Sequence, residues 1–175
     1  MAWVFSLSAE CGTEQSQAEK FAEHFRGLTW TIDRGIQSQC QVGIFTDMEG
    51  NWWCRVCPSE LSQIGIDAPE SADLMTELEI LLYQRLRSAP AFRYGIVGVE
   101  VDEFRTYSEL TDDPTVVSLP GIVVDRDMWQ LLGSPSTLRS FATGYLWKPD
   151  EGEVYKPLVI SSELKTKMSE LLMAA

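Results

Sequence analysis

Two cysteines with two residues between them, Cys54 and Cys57, form the first group whose spacing could hold a metal ion. A tetrahedral zinc site needs four thiolate or imidazole ligands that converge on one ion. The other candidate ligands, Cys11, Cys40 and His24, contain no second closely spaced pair. Alternation along a strand also predicts that Cys54 and Cys57 lie on opposite faces. We therefore expect reduced structural cysteines, with a zinc-stabilised scaffold as an alternative that chelation would unfold.

A second candidate for metal chemistry is the pair Asp125 and Asp127, which ends an apolar run that starts at Gly121. Over seven residues this pattern resembles phosphotransferases of the haloacid-dehalogenase type, which implies a Mg²⁺ site. The chain departs from that family because no later lysine-and-acid cluster follows a strand. A metal-dependent hydrolase or transferase, with Asp102 as a further candidate, is the alternative function. The local interpretation is that Asp125 caps a short helix through Leu132, with Asp127 in its first turn.

Other catalytic arrangements have little material in this sequence. His24 is the only histidine, and its place beside Glu23 and Arg26 predicts an exposed side chain, which disfavours Ser-His-Asp and Cys-His arrangements. Neither a phosphate-binding glycine loop nor a nucleophile-elbow motif occurs. Asp102 and Glu103 would end a strand on opposite faces and so would not cooperate. We expect no cofactor and favour a role other than catalysis.

The charge of the chain is negative and unevenly distributed. The 175 residues contain 14 Lys and Arg against 26 Asp and Glu, for a net charge of −12. Residues 61–120 carry net −7, whereas residues 1–60 carry −4 and residues 121–175 carry −1. Such a surface repels phosphate backbones and anionic lipids, because binding to either depends on Lys and Arg. We therefore expect no nucleic-acid partner and no membrane partner, and a basic protein surface as the binding target.

The acidic middle third contains the segment Arg105–Pro120, which predicts a long loop of the kind that carries function. Tryptophan is enriched at interface hot spots and could supply apolar anchors beside these acids. The predicted binding residues are Glu109, Asp112, Asp113, Trp53 and Trp147. The predicted function is an acidic, cytoplasmic protein-binding factor, such as an adaptor, an inhibitor or an immunity-like protein. The sequence is also compatible with a homo-oligomer.

These candidate residues have to be positioned by a central helix over 68–88 and a strand over 92–103. The helix is predicted by Leu74, Leu78 and Leu82, which share one face, and by a proline in its first turn. The strand is apolar on both faces in its middle, which is typical of a strand inside a sheet. No apolar run reaches the roughly 20 residues that cross a bilayer, and the N-terminus reads as a strand, so we expect a cytoplasmic protein.

The remaining elements complete one α+β domain over residues 1–175. We expect an opening strand from Trp3 to Ser8, a helix that reaches Phe25, and a hairpin from Cys40 to Cys57 in which Thr46 opposes Trp52. A strand over 138–147 and a final helix over 161–173 follow the central pair. Six to eight strands in a mostly antiparallel or mixed sheet, with three or four helices packed on it, is the predicted fold.

Overall fold

The computed structural model describes residues 4–60, 69–113, 115, 118–149, 166 and 170. The strands are β1 (Phe5–Glu10), β2 (Thr29–Ile32), β3 (Ile36–Thr46), β4 (Trp52–Pro58), β5 (Tyr94–Val99), β6 (Val123–Asp125), β7 (Arg139–Ala142) and β8 (Tyr145–Trp147). The helices are α1 (Gln15–Phe25), α2 (Pro69–Leu86), α3 (Tyr107–Asp112) and α4 (Arg126–Leu131), and a 3₁₀ turn covers Asp33–Gly35. This arrangement confirms the α+β fold class.

All eight strands belong to one antiparallel sheet in the order β2-β3-β4-β1-β5-β6-β8-β7. β1 lies between β4 and β5, and its six residues are all buried. Phe5, Leu7 and Ala9 join the larger hydrophobic core. Because side chains alternate, Ser6, Ser8 and Glu10 lie on the opposite face of the sheet.

Helices α1 and α2 cover the face of the sheet that carries the larger core. α1 buries Ala18, Phe21, Ala22 and Phe25, which is the stripe that its sequence predicts. α2 buries three leucines on its predicted face, and each fully buried leucine contributes about 1.5–3 kcal/mol. These three are Leu78, Leu82 and Leu86. α2 is also tied to β5, because the backbone N–H of Val97 donates to the Tyr83 hydroxyl at 3.2 Å.

The hairpin of β3 and β4 has the predicted register. Thr46 opposes Trp52, Phe45 opposes Trp53, and Ile44 opposes Cys54. Apolar alternation on both strands fixes this register, since a slip of one residue would turn every side chain to the other face.

A smaller core lies on the second face of the sheet, under α3 and α4. Trp53, Tyr94 and Ile96 form its sheet side, and Leu110 and Met128 from the two short helices pack against them. The ring of Phe104 meets Trp53 and Tyr94 edge-on, at centroid distances of 5.8 and 5.9 Å. The segment that joins β5 to α3 therefore contributes to this core.

Three predicted elements need correction. β5 ends at Val99 and not at residue 103, because Glu100 takes a positive φ of 55° and so leaves the extended conformation of a strand. The predicted loop Arg105–Pro120 contains α3. The predicted strand over 138–147 is the hairpin of β7 and β8, whose turn passes through Gly144 at φ 82°.

The C-terminal helix predicted over 161–173 lies outside the described residues, except for Thr166 and Glu170, which are helical and exposed. Among the helices of the described ranges, none combines the length and the apolar character that a membrane span requires.

Candidate functional site

The tip of the β3–β4 hairpin is held in shape by one carboxylate. Asp47 is 6% exposed, and its Oδ1 accepts hydrogen bonds from the backbone N–H groups of Glu49 and Asn51, both at 2.9 Å. Its Oδ2 accepts the indole N–H of Trp53 at 2.9 Å. Gly50 supplies the positive φ of 79° that the turn requires. The connection is therefore a rigid turn rather than a loose loop.

This turn presents an apolar side chain and contacts α3. Met48 is 90% exposed at the tip of the turn, the largest exposure among the described large hydrophobic residues. The neighbouring Glu49 accepts the backbone N–H of Ser108 with its Oε2 at 3.2 Å. Hydrogen bonds from Thr106 and Ser108 hold the pKa of Glu49 below its ordinary value, so the carboxylate is charged at neutral pH.

α3 brings the three predicted acidic residues together. Glu109, Asp112 and Asp113 are exposed and line one open cleft of about 400 Å³ with Arg105 and Ser108. We call the surface formed by Met48, Glu49, Glu109, Asp112 and Asp113 the acidic corner. It combines four exposed carboxylates with one exposed apolar side chain, and the hydrogen bond from Ser108 to Glu49 joins the hairpin turn to α3.

Two of these acids also shape the helix. Glu109 Oε2 accepts the backbone N–H of Thr106 at 2.9 Å, and the Thr106 hydroxyl accepts that of Glu109, which completes a capping box. Asp113 Oδ1 accepts the N–H and the hydroxyl of Thr115, and these bonds lower the pKa of Asp113. Asp112, like the other two acids, is exposed to solvent.

A buried ion pair supports the corner from below. Glu10 is 0% exposed, and Arg93 donates to both of its oxygens, at 2.5 Å from Nε and 2.6 Å from Nη2. Arg93 Nη2 also donates to Asn51 Oδ1 at 3.0 Å, and its guanidinium lies 4.1 Å from the centre of the Tyr107 ring. One side chain thus connects β1, the hairpin turn and α3.

Sequence reasoning missed this pair. The opening strand was expected to end at Ser8, which left Glu10 outside it, and Arg93 gave no signal beyond its place before an apolar run. Burial raises the pKa of Glu10, although the hydrogen bonds and charge of Arg93 oppose that shift. A glutamate in phase with the serines of an otherwise apolar strand is the signal that could have identified it.

Trp53 and Trp147 do not lie on the surface. Trp53 is 0% exposed and Trp147 is 1% exposed, and they belong to the smaller and larger cores. The expected role as apolar anchors for a partner is corrected to a core role, because both rings pack against other aromatic side chains. Trp147 meets Tyr83 at a centroid distance of 5.3 Å, and Trp53 meets Tyr94 at 5.5 Å.

The structure gives Asp125 and Asp102 local partners. Asp125 Oδ1 accepts the backbone N–H of Met128 at 2.7 Å and caps α4, and Asp127 lies in the first turn of that helix. Asp102 Oδ2 pairs with Arg55 Nη1 at 2.5 Å. No group of three or more His, Cys, Asp or Glu side chains arranged to hold a metal ion occurs within the described ranges. The metal-dependent alternative stays a prediction without a supporting contact.

The cysteines and the histidine also occupy structural positions. Cys11, Cys40 and Cys54 are buried free thiols, and burial raises the pKa of Cys40 and of Cys54 to about 12, so neither is a thiolate at neutral pH. His24, expected to be exposed, is half-buried, and its Nε2 lies 3.0 Å from the carbonyl oxygen of Arg85. Two hydrogen bonds from the Arg85 guanidinium to the His24 carbonyl complete this link between α1 and α2.

Comparison of the chain with protein-family models, with curated proteins and with solved structures finds no match in any of the three.

Proposed function

We propose that this protein is a cytoplasmic protein-binding factor, of the adaptor, inhibitor or immunity-like kind, which binds a basic protein surface through the acidic corner. The observation that carries the proposal is the convergence of Glu109, Asp112 and Asp113 on one cleft. The hairpin turn that bonds to α3 through Glu49 also carries Met48, which is 90% exposed. Complementary charge would steer the encounter, and Met48 would supply the apolar contact at its centre.

The support beneath the corner favours binding over a solvated acidic face. Asp47 fixes the hairpin turn, Glu49 bonds it to α3, and the Glu10–Arg93 pair fixes both to the sheet. A surface that is ordered before binding loses less side-chain and loop entropy when the partner arrives. A second copy of this chain would bring like charges together at the corner, so we expect the partner to be a different, basic protein.

Amide substitutions test the charge without removing the hydrogen-bond acceptors. Glu109→Gln, Asp112→Asn and Asp113→Asn together remove three negative charges, while glutamine can still serve in the capping box and asparagine can still accept from Thr115. A matched control removes three exposed charges from α1 and its N-cap residue, on the other side of the sheet. The control substitutions are Glu14→Gln, Glu19→Gln and Glu23→Gln.

The three proteins serve as baits for lysate of the source cells, and captured proteins are quantified by mass spectrometry at low and at high salt. We expect a basic protein that the native chain and the control capture and that the acidic-corner variant loses. The association rate of that partner, measured with purified components, should fall about tenfold in the acidic-corner variant at low salt. Equal capture by all three baits would show that the acidic corner does not bind the partner.

A further inference from the structure

A second cleft carries two basic side chains among its described lining residues. It has a volume of about 520 Å³ and is lined by Arg87, by Arg126 and by residues 140–144 of the β7–β8 hairpin. Among the described residues that line it, two are arginines and none is acidic, in a chain with 26 acidic and 14 basic side chains. We propose that this cleft binds an oxyanion, the phosphate or carboxylate group of a small molecule.

Arg87 is held at one side of the cleft by an aromatic ring. The central carbon of its guanidinium lies 5.3 Å from the centre of the Phe141 ring, and Phe141 is itself 1% exposed. Burial lowers the pKa of Arg87, since part of its hydration is lost, yet an arginine stays protonated at any physiological pH. A cation that is positioned and partly dehydrated binds an oxyanion more strongly than a fully solvated one does.

Arg126 is fixed at the other side through its backbone. Its N–H donates to the carbonyl oxygen of Gly144 at 2.9 Å, which ties the first residue of α4 to the β7–β8 turn, and its side chain is exposed. Guanidinium groups present a planar fork of N–H donors that matches the geometry of phosphate and carboxylate oxygens. The two arginines therefore come from different parts of the chain and line the same cleft.

The floor of the cleft departs from regular strand geometry. The pairing of β7 with β8 shifts register between Ser140 and Ala142, which marks a β-bulge, and Gly144 takes a φ of 82° in the turn. Bulges re-aim side chains and are common next to functional sites. Ser140 and Thr143 are exposed here, and their hydroxyls add hydrogen-bond donors to the two guanidinium groups.

The volume fits a small molecule, because ligand sites in proteins measure about 300–1,000 Å³. The test uses the full chain, isotope-labelled so that the side-chain Nε–Hε signals of arginine are followed by NMR. Inorganic phosphate and succinate are the two probes, each titrated against sodium chloride at matched ionic strength. We expect saturable shifts of the Arg87 and Arg126 signals with at least one probe and none with chloride.

Variants assign the binding to the cleft. Arg126→Gln, at an exposed position, should raise the dissociation constant about tenfold or more, as expected for the loss of a charge-assisted hydrogen bond. Arg87→Lys keeps the charge but loses the fork, and it should weaken binding as well. Lys20→Gln removes one exposed positive charge from α1 and should bind like the native chain.

Tighter binding of phosphate than of succinate would assign the ligand as a phosphate compound, and the reverse order would assign it as a carboxylate. Absence of saturable shifts with both probes, or an unchanged dissociation constant in Arg126→Gln, would overturn the proposal. The variant of Glu109, Asp112 and Asp113 should bind the probes normally, so this test and that of the acidic corner fail independently.

Discussion

Ser8 carries a hydroxyl that is fully buried on β1 and has no hydrogen-bond partner within the described ranges. A buried hydroxyl without a partner costs free energy, whereas the methyl group of alanine costs none. We expect Ser8→Ala to raise the free energy of unfolding by about 1 kcal/mol in urea denaturation.

Ser38 provides the matched control for that experiment. It is equally buried, but its hydroxyl donates to the carbonyl oxygen of Ser59 at 2.9 Å. Ser38→Ala should therefore lower the free energy of unfolding by about 1 kcal/mol. Equal losses in both variants would show that Ser8 has a partner in solution, such as a buried water molecule.

Substitutions of Asp125 distinguish a helix-capping role of its carboxylate from a metal-binding role. Because its carboxylate accepts the N–H of Met128, Asp125→Ala should lower the free energy of unfolding by about 1 kcal/mol, while Asp125→Asn should stay close to the native chain. Thermal unfolding with and without Mn²⁺ distinguishes the two roles. A melting temperature that Mn²⁺ raises in the native chain but not in Asp125→Asn would revive the metal-dependent alternative.

His24 makes one pH dependence testable. Burial lowers its pKa in the folded chain below the ordinary value of 6.5, so the unfolded chain takes up the proton first as the pH falls. The contribution of His24 should therefore lower the free energy of unfolding as the pH drops below 6.5 and leave it unchanged above that pH. NMR titration of this single imidazole should give a pKa under 6.5. His24→Gln, which can still donate to Arg85, should lose less stability than the native chain between neutral pH and pH values below the ordinary pKa.

At the scale of elements, the Glu10–Arg93 pair determines how firmly the hairpin turn and α3 are joined to the sheet. Arg93→Met leaves the buried carboxylate without its partner, and we expect a loss of about 3 kcal/mol. Adding Glu10→Gln removes the uncompensated charge, so the double variant should be more stable than Arg93→Met alone. Hydrogen exchange at residues 47–51 and 107–112 should accelerate in Arg93→Met. If the losses of the single variants Arg93→Met and Glu10→Gln summed to the loss of the double variant, the two residues would not be energetically coupled.

The sequence predicted those elements whose pattern is local and strongly periodic. The register of β3 with β4 follows from apolar alternation around one turn, and the buried stripe of α1 follows from its helical spacing. α3 was missed although Thr106 and Glu109 carry the capping-box pattern, because six residues are too short for a periodic signal. The hairpin of β7 and β8 was missed because the alternation of side chains continues across its turn at Gly144, so the sequence resembles one long strand.

The candidate site was predicted only in part, for a physical reason. Glu109, Asp112 and Asp113 are close in sequence, so a charge count finds them. Their supports come from β1, the β3–β4 turn and the start of β5, which only the sheet order brings together. The arginine cleft has the same origin, because Arg87 and Arg126 are 39 positions apart in the chain and line one cleft only in the folded structure.

At the scale of the whole molecule, a net charge of −12 should lower the stability of the folded chain and speed its association with a basic partner. Added sodium chloride screens the self-repulsion of the folded chain, so the melting temperature should rise with moderate salt. The exposed ion pairs Arg26–Glu23 and Arg55–Asp102 lose little, since such pairs contribute about 0–1 kcal/mol, and Glu10–Arg93 is shielded by burial. The same salt should slow association with a basic partner, because it screens the steering field of the acidic corner.

The variant that lacks the charges of Glu109, Asp112 and Asp113 links these two effects. With three negative charges fewer, its melting temperature should lie above that of the native chain at low salt, and it should rise less as salt is added. The α1 control, which loses the same number of charges, should behave alike in melting yet retain the salt-dependent association rate. Because the control also loses the exposed Arg26–Glu23 ion pair, only a difference in stability beyond about 1 kcal/mol would place a specific repulsion at the acidic corner. Charges held close together there, despite their cost in stability, are what a binding surface for a cationic partner requires.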